Sequence, residues 1–223
     1  VGNKFDFYNV VQAGGSGTST VNYTGTTDQE VYNNVSGSTV DNYVDNDPLD
    51  DFVVYQNLGF SGSGTKIMHA DSPTGTLIVS GNFTLAPGTE VVDFATNNCA
   101  LLVGGNYTTG SGSTFNAGTR PIFISASFNN AGTSNFGTAA VTFNSGAEEM
   151  LTTVGPQLFT NLAFAGGGIY DMNAGSFHIS SQGVLTMSNF SQLNANGKLT
   201  RNSDADGSAT VADIPSDCAI NGV

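Results

Sequence analysis

Apolar residues in this chain come in short runs at alternate positions, as in Val141-Thr142-Phe143 and Phe177-His178-Ile179. An extended backbone points successive side chains to opposite sides, so these runs predict strands with one apolar face. Between them stand Gly-Ser-Gly, Asn-Ala-Gly and Pro-Gly combinations. Glycine enters conformations closed to other residues and proline fixes its own, so these combinations favour tight turns. The chain therefore reads as many short strands joined by turns.

The strand pattern repeats at two scales. Leu77-Ile78-Val79-Ser80-Gly81-Asn82-Phe83-Thr84 returns at a shift of 24 as Leu101-Leu102-Val103-Gly104-Gly105-Asn106-Tyr107-Thr108, and Ile122-Phe123-Ile124 follows after a further 21. Phe115-Asn116-Ala117-Gly118-Thr119 finds an echo at Phe136-Gly137-Thr138, again 21 on. A longer repeat relates Val21-Asn22-Tyr23-Thr24 to Val141-Thr142-Phe143-Asn144, and Asp28-Gln29 to Glu148-Glu149, at a shift of 120. Tyr55-Gln56-Asn57-Leu58-Gly59-Phe60 matches Phe159-Thr160-Asn161-Leu162-Ala163-Phe164 at a shift of 104, as do the glycine-rich turns before Met68 and Met172. The difference locates a 16-residue insertion between Val31 and Tyr55, within about residues 34–52.

A motif that returns at shifts of 21 and 24, with two or three short strands per period, is expected of a right-handed parallel β-helix. Each coil stacks on the one before, and the alternate apolar positions line a continuous core. About nine or ten coils at about 4.8 Å each make a rod roughly 45 Å long. The alternative is an antiparallel β-sandwich, whose strands recur at about half that spacing but give no reason for the longer period. Residues 1–223 read as one β-helical domain, a part of a longer chain.

Composition narrows the function classes. Gly, Asn, Ser and Thr fill 100 of the 223 positions, and all four weaken helix interiors. The 39% of hydrophobic residues supply enough apolar surface for a core, which argues against disorder. Eighteen acidic residues against five basic ones leave a net charge of −13. The basic residues Lys4, Lys66, Arg120, Lys198 and Arg201 are scattered singly, so nucleic acid and anionic membrane are not expected partners. No apolar run is long enough to span a membrane as a helix.

Gly81-Asn82-Phe83-Thr84, Phe115-Asn116-Ala117-Gly118-Thr119, Ala140-Val141-Thr142-Phe143-Asn144, Leu158-Phe159-Thr160-Asn161-Leu162 and the tail Leu199 to Ile214 resemble the repetitive surface proteins of Bacteroidota. The resemblance implies a secreted, cell-surface protein of the kind exported by the type IX secretion system, which includes gliding and attachment adhesins. Its expected partners are other segments of the same long chain and proteins of the secretion or surface machinery. Such cargo carries a C-terminal sorting domain that is not among these residues, as expected of a segment of a larger protein.

The most acidic stretch falls in the insertion, where Asp41, Asp45, Asp47, Asp50 and Asp51 stand with Asn42 and Asn46 between them. Ca²⁺ takes about six to eight oxygen ligands, so Asp45, Asp47, Asp50 and Asp51 form the candidate metal site and Ca²⁺ the candidate cofactor. The bland reading is a solvated acidic loop. Asp204-Ala205-Asp206-Gly207-Ser208 also resembles the start of a calcium loop but fits a plain turn.

Catalytic chemistry is poorly supplied. Glu148 and Glu149 are adjacent, so on a strand they point to opposite faces and cannot act as a pair. His69 and His178 lack a Ser or Cys nucleophile motif and read as surface or turn residues. An enzyme is therefore not expected. Cys99 and Cys218 are separated by 119 positions, about five coils or roughly 25 Å in a solenoid, beyond the reach of a disulfide. Cys99 reads as a small buried hydrophobe. Tyr8, Tyr23, Tyr32, Tyr43, Tyr55 and Tyr107 are either exposed rings for glycan stacking or, as strand residues, core packing. The expected role is a non-catalytic structural or adhesive segment. A carbohydrate-binding module, a polysaccharide-cleaving β-helix and cargo held by secretion machinery are the alternatives.

Overall fold

A computed structural model describes residues 19–32, 54–69, 75–201, 203–204, 207–208, 210–211 and 215–222. These form a parallel β-helix, all strand and turn, whose successive coils contribute strands to three faces. Face 1 stacks Thr20–Tyr23, Asn57–Phe60, Phe83–Leu85, Tyr107–Thr109, Phe128–Asn130, residues 148–153, residues 169–172, Gln192–Asn194 and Ala219–Asn221. Face 2 is a five-stranded sheet of Gln29–Tyr32, Thr65–His69, Val91–Asp93, Thr114–Asn116 and Thr133–Asn135, followed by residues 156–159, residues 176–179 and Leu199–Arg201, which pair with one another but not with Thr133–Asn135. Face 3 stacks Val54–Tyr55, Thr76–Val79, Ala100–Val103, Ile122–Ile124, Ala140–Asn144, residues 161–165, residues 184–187 and Thr210–Val211. Glu148–Ala165 and Ile169–Met187 run as continuous strands around all three faces, with irregular register at their bends.

The short repeat is the coil itself. Leu77 lies under Leu101, Val79 under Val103, Phe83 under Tyr107, and Leu101 under Ile122. The echo of Phe115 at Phe136 is out of step by two positions, because Phe115 pairs with Ser134 and Asn116 with Asn135. Both rings still reach the core, with centroids 5.9 Å apart. The long repeat relates strands of like pattern on different faces. Val21 and Leu58 stand on face 1, but their sequence counterparts Val141 and Leu162 stand on face 3. Met68 on face 2 likewise matches Met172 on face 1.

Coil length exposes the insertion directly. Along face 1, successive partners are Leu58, Phe83, Tyr107, Phe128, Leu151 and Met172, in steps of 25, 24, 21, 23 and 21. The step from Val21 to Leu58 takes 37, and the extra length falls between Tyr32 and Val54.

Alternation drives the packing. In Phe83–Leu85 and Ile122–Ile124 the outer two residues are buried and the middle one faces out. Stacking then aligns rings: Tyr23 on Phe60 at 5.7 Å, Phe83 on Tyr107 at 5.5 Å, Tyr107 on Phe128 at 5.1 Å. A second run follows face 2 through Phe136, Phe159 and Phe177 at 5.2 and 4.8 Å. Each fully buried aromatic contributes about 1.5–3 kcal/mol of apolar transfer, with a further contribution of about 0.5–1.5 kcal/mol from ring–ring geometry.

The corner from face 3 to face 1 carries a ladder of side-chain acceptors. Asn57 Oδ1 accepts from the Asn82 amide at 2.9 Å, Asn82 Oδ1 from Asn106 at 2.9 Å, and Asn106 Oδ1 from Ser127 at 3.1 Å. Turn amides that no strand can satisfy are met by the coil below. At the corner from face 1 to face 2, Gly62 has φ +92° and an added Cβ would lie 2.6 Å from the Gly25 carbonyl oxygen, so glycine is required there on both counts.

Candidate functional site

Asp45, Asp47, Asp50 and Asp51, the expected calcium ligands, lie outside the described residues, as do Asp41, Asn42 and Asn46. In the tail, Ser203–Asp204 and Gly207–Ser208 pair antiparallel as a small hairpin. Among the described residues no three His, Cys, Asp or Glu side chains converge into a metal-binding group.

The other sequence candidates are placed. Glu149 Oε1 accepts from Ser145 Oγ and Oε2 from Ser127 Oγ, both at 2.8 Å, so this carboxylate continues the corner ladder as a structural acceptor. Glu148 is exposed. His178 faces outward on face 2, with Ser176 Oγ 3.1 Å from its Nε2 and with Leu158 and Thr200 as its register neighbours. Ser176 is a neighbour the motif reading did not foresee, since it sits two positions away on the same side of the strand. His69 lies beside the Asn97 amide. Cys99 is buried and its thiol donates to the Met68 carbonyl oxygen at 3.4 Å. Cys218 is half-buried and no disulfide joins the two.

Tyr23, Tyr55 and Tyr107 are all buried, so these rings serve the core and not glycan stacking. Tyr8 and Tyr43 lie outside the described residues, and only the backbone of Tyr32 is described. Burial raises the tyrosine pKa at Tyr23, Tyr55, Tyr107 and Tyr170, because it disfavours the phenolate. The Tyr23 and Tyr55 hydroxyls stand 3.3 Å apart, and that of Tyr107 is 2.9 Å from Ser134 Oγ.

The most unusual chemistry is internal. The corner from face 1 to face 2 turns polar side chains inward: Gln29, Lys66, Glu90, Thr109, Ser113, Asn130, Ser134, Thr153 and Gln157 are all buried. Lys66 Nζ donates to the carbonyl oxygens of Ser63 at 2.7 Å and Gly25 at 2.8 Å, with Thr27 at 3.4 Å. Its pKa is lowered, mainly by burial, and the nearby charges of Glu90 and Asp28 partly offset that. One coil higher, Glu90 is 0% exposed and neither carboxylate oxygen has a hydrogen-bond partner. Higher again the column is amide and hydroxyl. Thr109 Oγ1 donates to Asn130 Oδ1, Asn130 Nδ2 to Gln157 Oε1 at 2.5 Å, and Gln157 Nε2 to the Ser134 carbonyl at 2.8 Å.

The sequence pattern did not single these residues out. The signal that marks them is positional. Gln29, Lys66, Ser134 and Gln157 occupy inward-facing strand positions that an apolar core would give to Val or Phe, as Val92 and Phe115 show.

On the outside, a groove of about 570 Å³ crosses face 1 over Gly59. Asn22, Asn57, Asn82, Thr84 and Ser61 line it, and none of its lining residues is charged. Two of its amides are engaged in the corner ladder. No family model, curated protein or solved structure matches this chain.

Proposed function

We propose that this chain is a non-catalytic, load-bearing spacer in a secreted bacterial cell-surface protein, with any adhesive contact carried on its outer faces and loops. The observation that carries this reading is the uninterrupted column of face 1, nine strand segments from Thr20–Tyr23 to Ala219–Asn221 paired in parallel without a gap. Inter-coil hydrogen bonds run along the axis of such a column, so within each step the several paired residues and the packed aromatic core share the tension. The Asn/Thr/Ser-rich surface and the likeness to Bacteroidota surface repeats support the extracellular setting.

Single-molecule pulling from the two ends tests the mechanical role. A load-bearing solenoid is expected to yield in force peaks whose contour increments are whole coils, roughly 75–90 Å each at about 3.6 Å per residue. Featureless extension at low force would contradict it. Antibodies raised against the chain are expected to label intact source cells if the surface setting is right.

A further inference from the structure

The outward-facing positions of face 3 form a register-aligned ladder. Val54 lies beneath Ile78, Ile78 beneath Leu102, Leu102 beneath Phe123, then Thr142, Ala163 and Thr186 follow in turn. Val54 is 48% and Phe123 37% exposed, on the side of the sheet away from the core. No described strand of face 3 contains Asp, Glu, Lys or Arg, although the chain as a whole carries −13.

The ladder is graded. Its first half presents the bulky Val54, Ile78 and Leu102, its second half the small Thr142, Ala163 and Thr186, and Phe123 stands at the midpoint. A two-fold axis through Phe123 places Leu102 opposite Thr142, Ile78 opposite Ala163 and Val54 opposite Thr186 of another molecule. Large residues then meet small ones along the full length, and the two Phe123 rings meet on the axis. This is the self-complementarity an isologous contact requires.

We propose that face 3 is a docking surface for a second copy of this chain, packed face to face with antiparallel axes. The charge distribution permits this pairing on face 3. Two copies at −13 repel over most of their surface, and this uncharged face is where they approach at least electrostatic cost. The area sets the strength. Seven rungs at about 4.8 Å and strands about 10–17 Å wide give roughly 300–500 Å² per copy, below the ~800 Å² of a standard interface. The pairing is therefore weak in solution, and it becomes effective where rods are held side by side at high local concentration.

Sedimentation equilibrium of the chain from micromolar to near-millimolar concentration tests this. A monomer–dimer equilibrium that strengthens with added NaCl is expected, because salt screens the repulsion and the contact has no ion pairs to lose. Phe123→Asp is expected to leave only monomer. Thr142→Phe is expected to weaken the dimer at least tenfold, by filling the place of the opposing Leu102, whereas mere apolar stickiness would strengthen with the added ring. Thr108→Asp, outward on face 1, is expected to dimerise as the parent does. Absence of any dimer at high salt, a tighter Thr142→Phe dimer, or equal loss from Thr108→Asp would each overturn the proposal. Thermal melts accompany every variant, and if Phe123→Asp fails to fold, the Thr142→Phe result decides.

Discussion

Glu90 and Lys66 show how much a single inward side chain can decide. Lys66 satisfies its ammonium on backbone carbonyls of the first two coils, while neither carboxylate oxygen of Glu90 has a hydrogen-bond partner. Buried charge that loses its counter-charge is costly, about 3–5 kcal/mol. Lys66→Met is expected to destabilise by about 1–3 kcal/mol, since it removes a positive charge near Glu90 and leaves the Gly25 and Ser63 carbonyls without their donor. Glu90→Gln is expected to be neutral or stabilising, and Lys66→Met to cost less in that background. Urea unfolding of the four proteins measures the coupling. The tyrosines give a pH dependence with a definite sign. Their folded pKa values are raised, whereas the unfolded chain releases these protons near pH 10. Stability is thus full below about pH 10 and falls above it. Phenolate absorbance is expected to appear together with loss of the far-ultraviolet strand signal, and smooth titration at the ordinary tyrosine pKa with the fold intact would contradict the buried placement.

At the scale of the element, the corner ladder and the aromatic stack do different work. Asn82→Ala leaves the Asn106 amide without its acceptor at an exposed corner, and a loss of about 1 kcal/mol in a denaturant melt is expected. Tyr107→Ala opens a cavity between Phe83 and Phe128 and is expected to cost about 3–5 kcal/mol. Much of this was legible beforehand. The recurrence at shifts of 21 and 24 and the alternation in Leu77 to Thr84 point to stacked parallel coils, and the residues quoted there prove to be register partners. The extra length before Val54 was legible for the same reason, since one coil exceeds the others. Which face a strand joins was not. Strands on all three faces share one apolar-out-of-two pattern, so the longer repeat linked Val21 on face 1 to Val141 on face 3. Nor was the polar interior, because the direction in which Lys66 or Glu90 points depends on turn geometry that alternation does not encode. The metal reading of Asp45, Asp47, Asp50 and Asp51 falls outside the described residues. Its check is a melt with and without Ca²⁺, in which a calcium site predicts a higher midpoint that EDTA removes.

For the molecule as a whole, stiffness is the property from which the proposed role follows. A solenoid contacts only its neighbouring coils, so its rigidity is the sum of many similar steps. Nine stacked segments on face 1 span eight steps, about 38 Å at about 4.8 Å each. Spin labels at Asn22 and Asn221, both facing out on the first and last of these segments, read that length directly by pulsed dipolar spectroscopy. A rigid spacer is expected to give one narrow distance distribution centred on that length, allowing for the label arms. A broad or multimodal distribution would contradict the load-bearing rod.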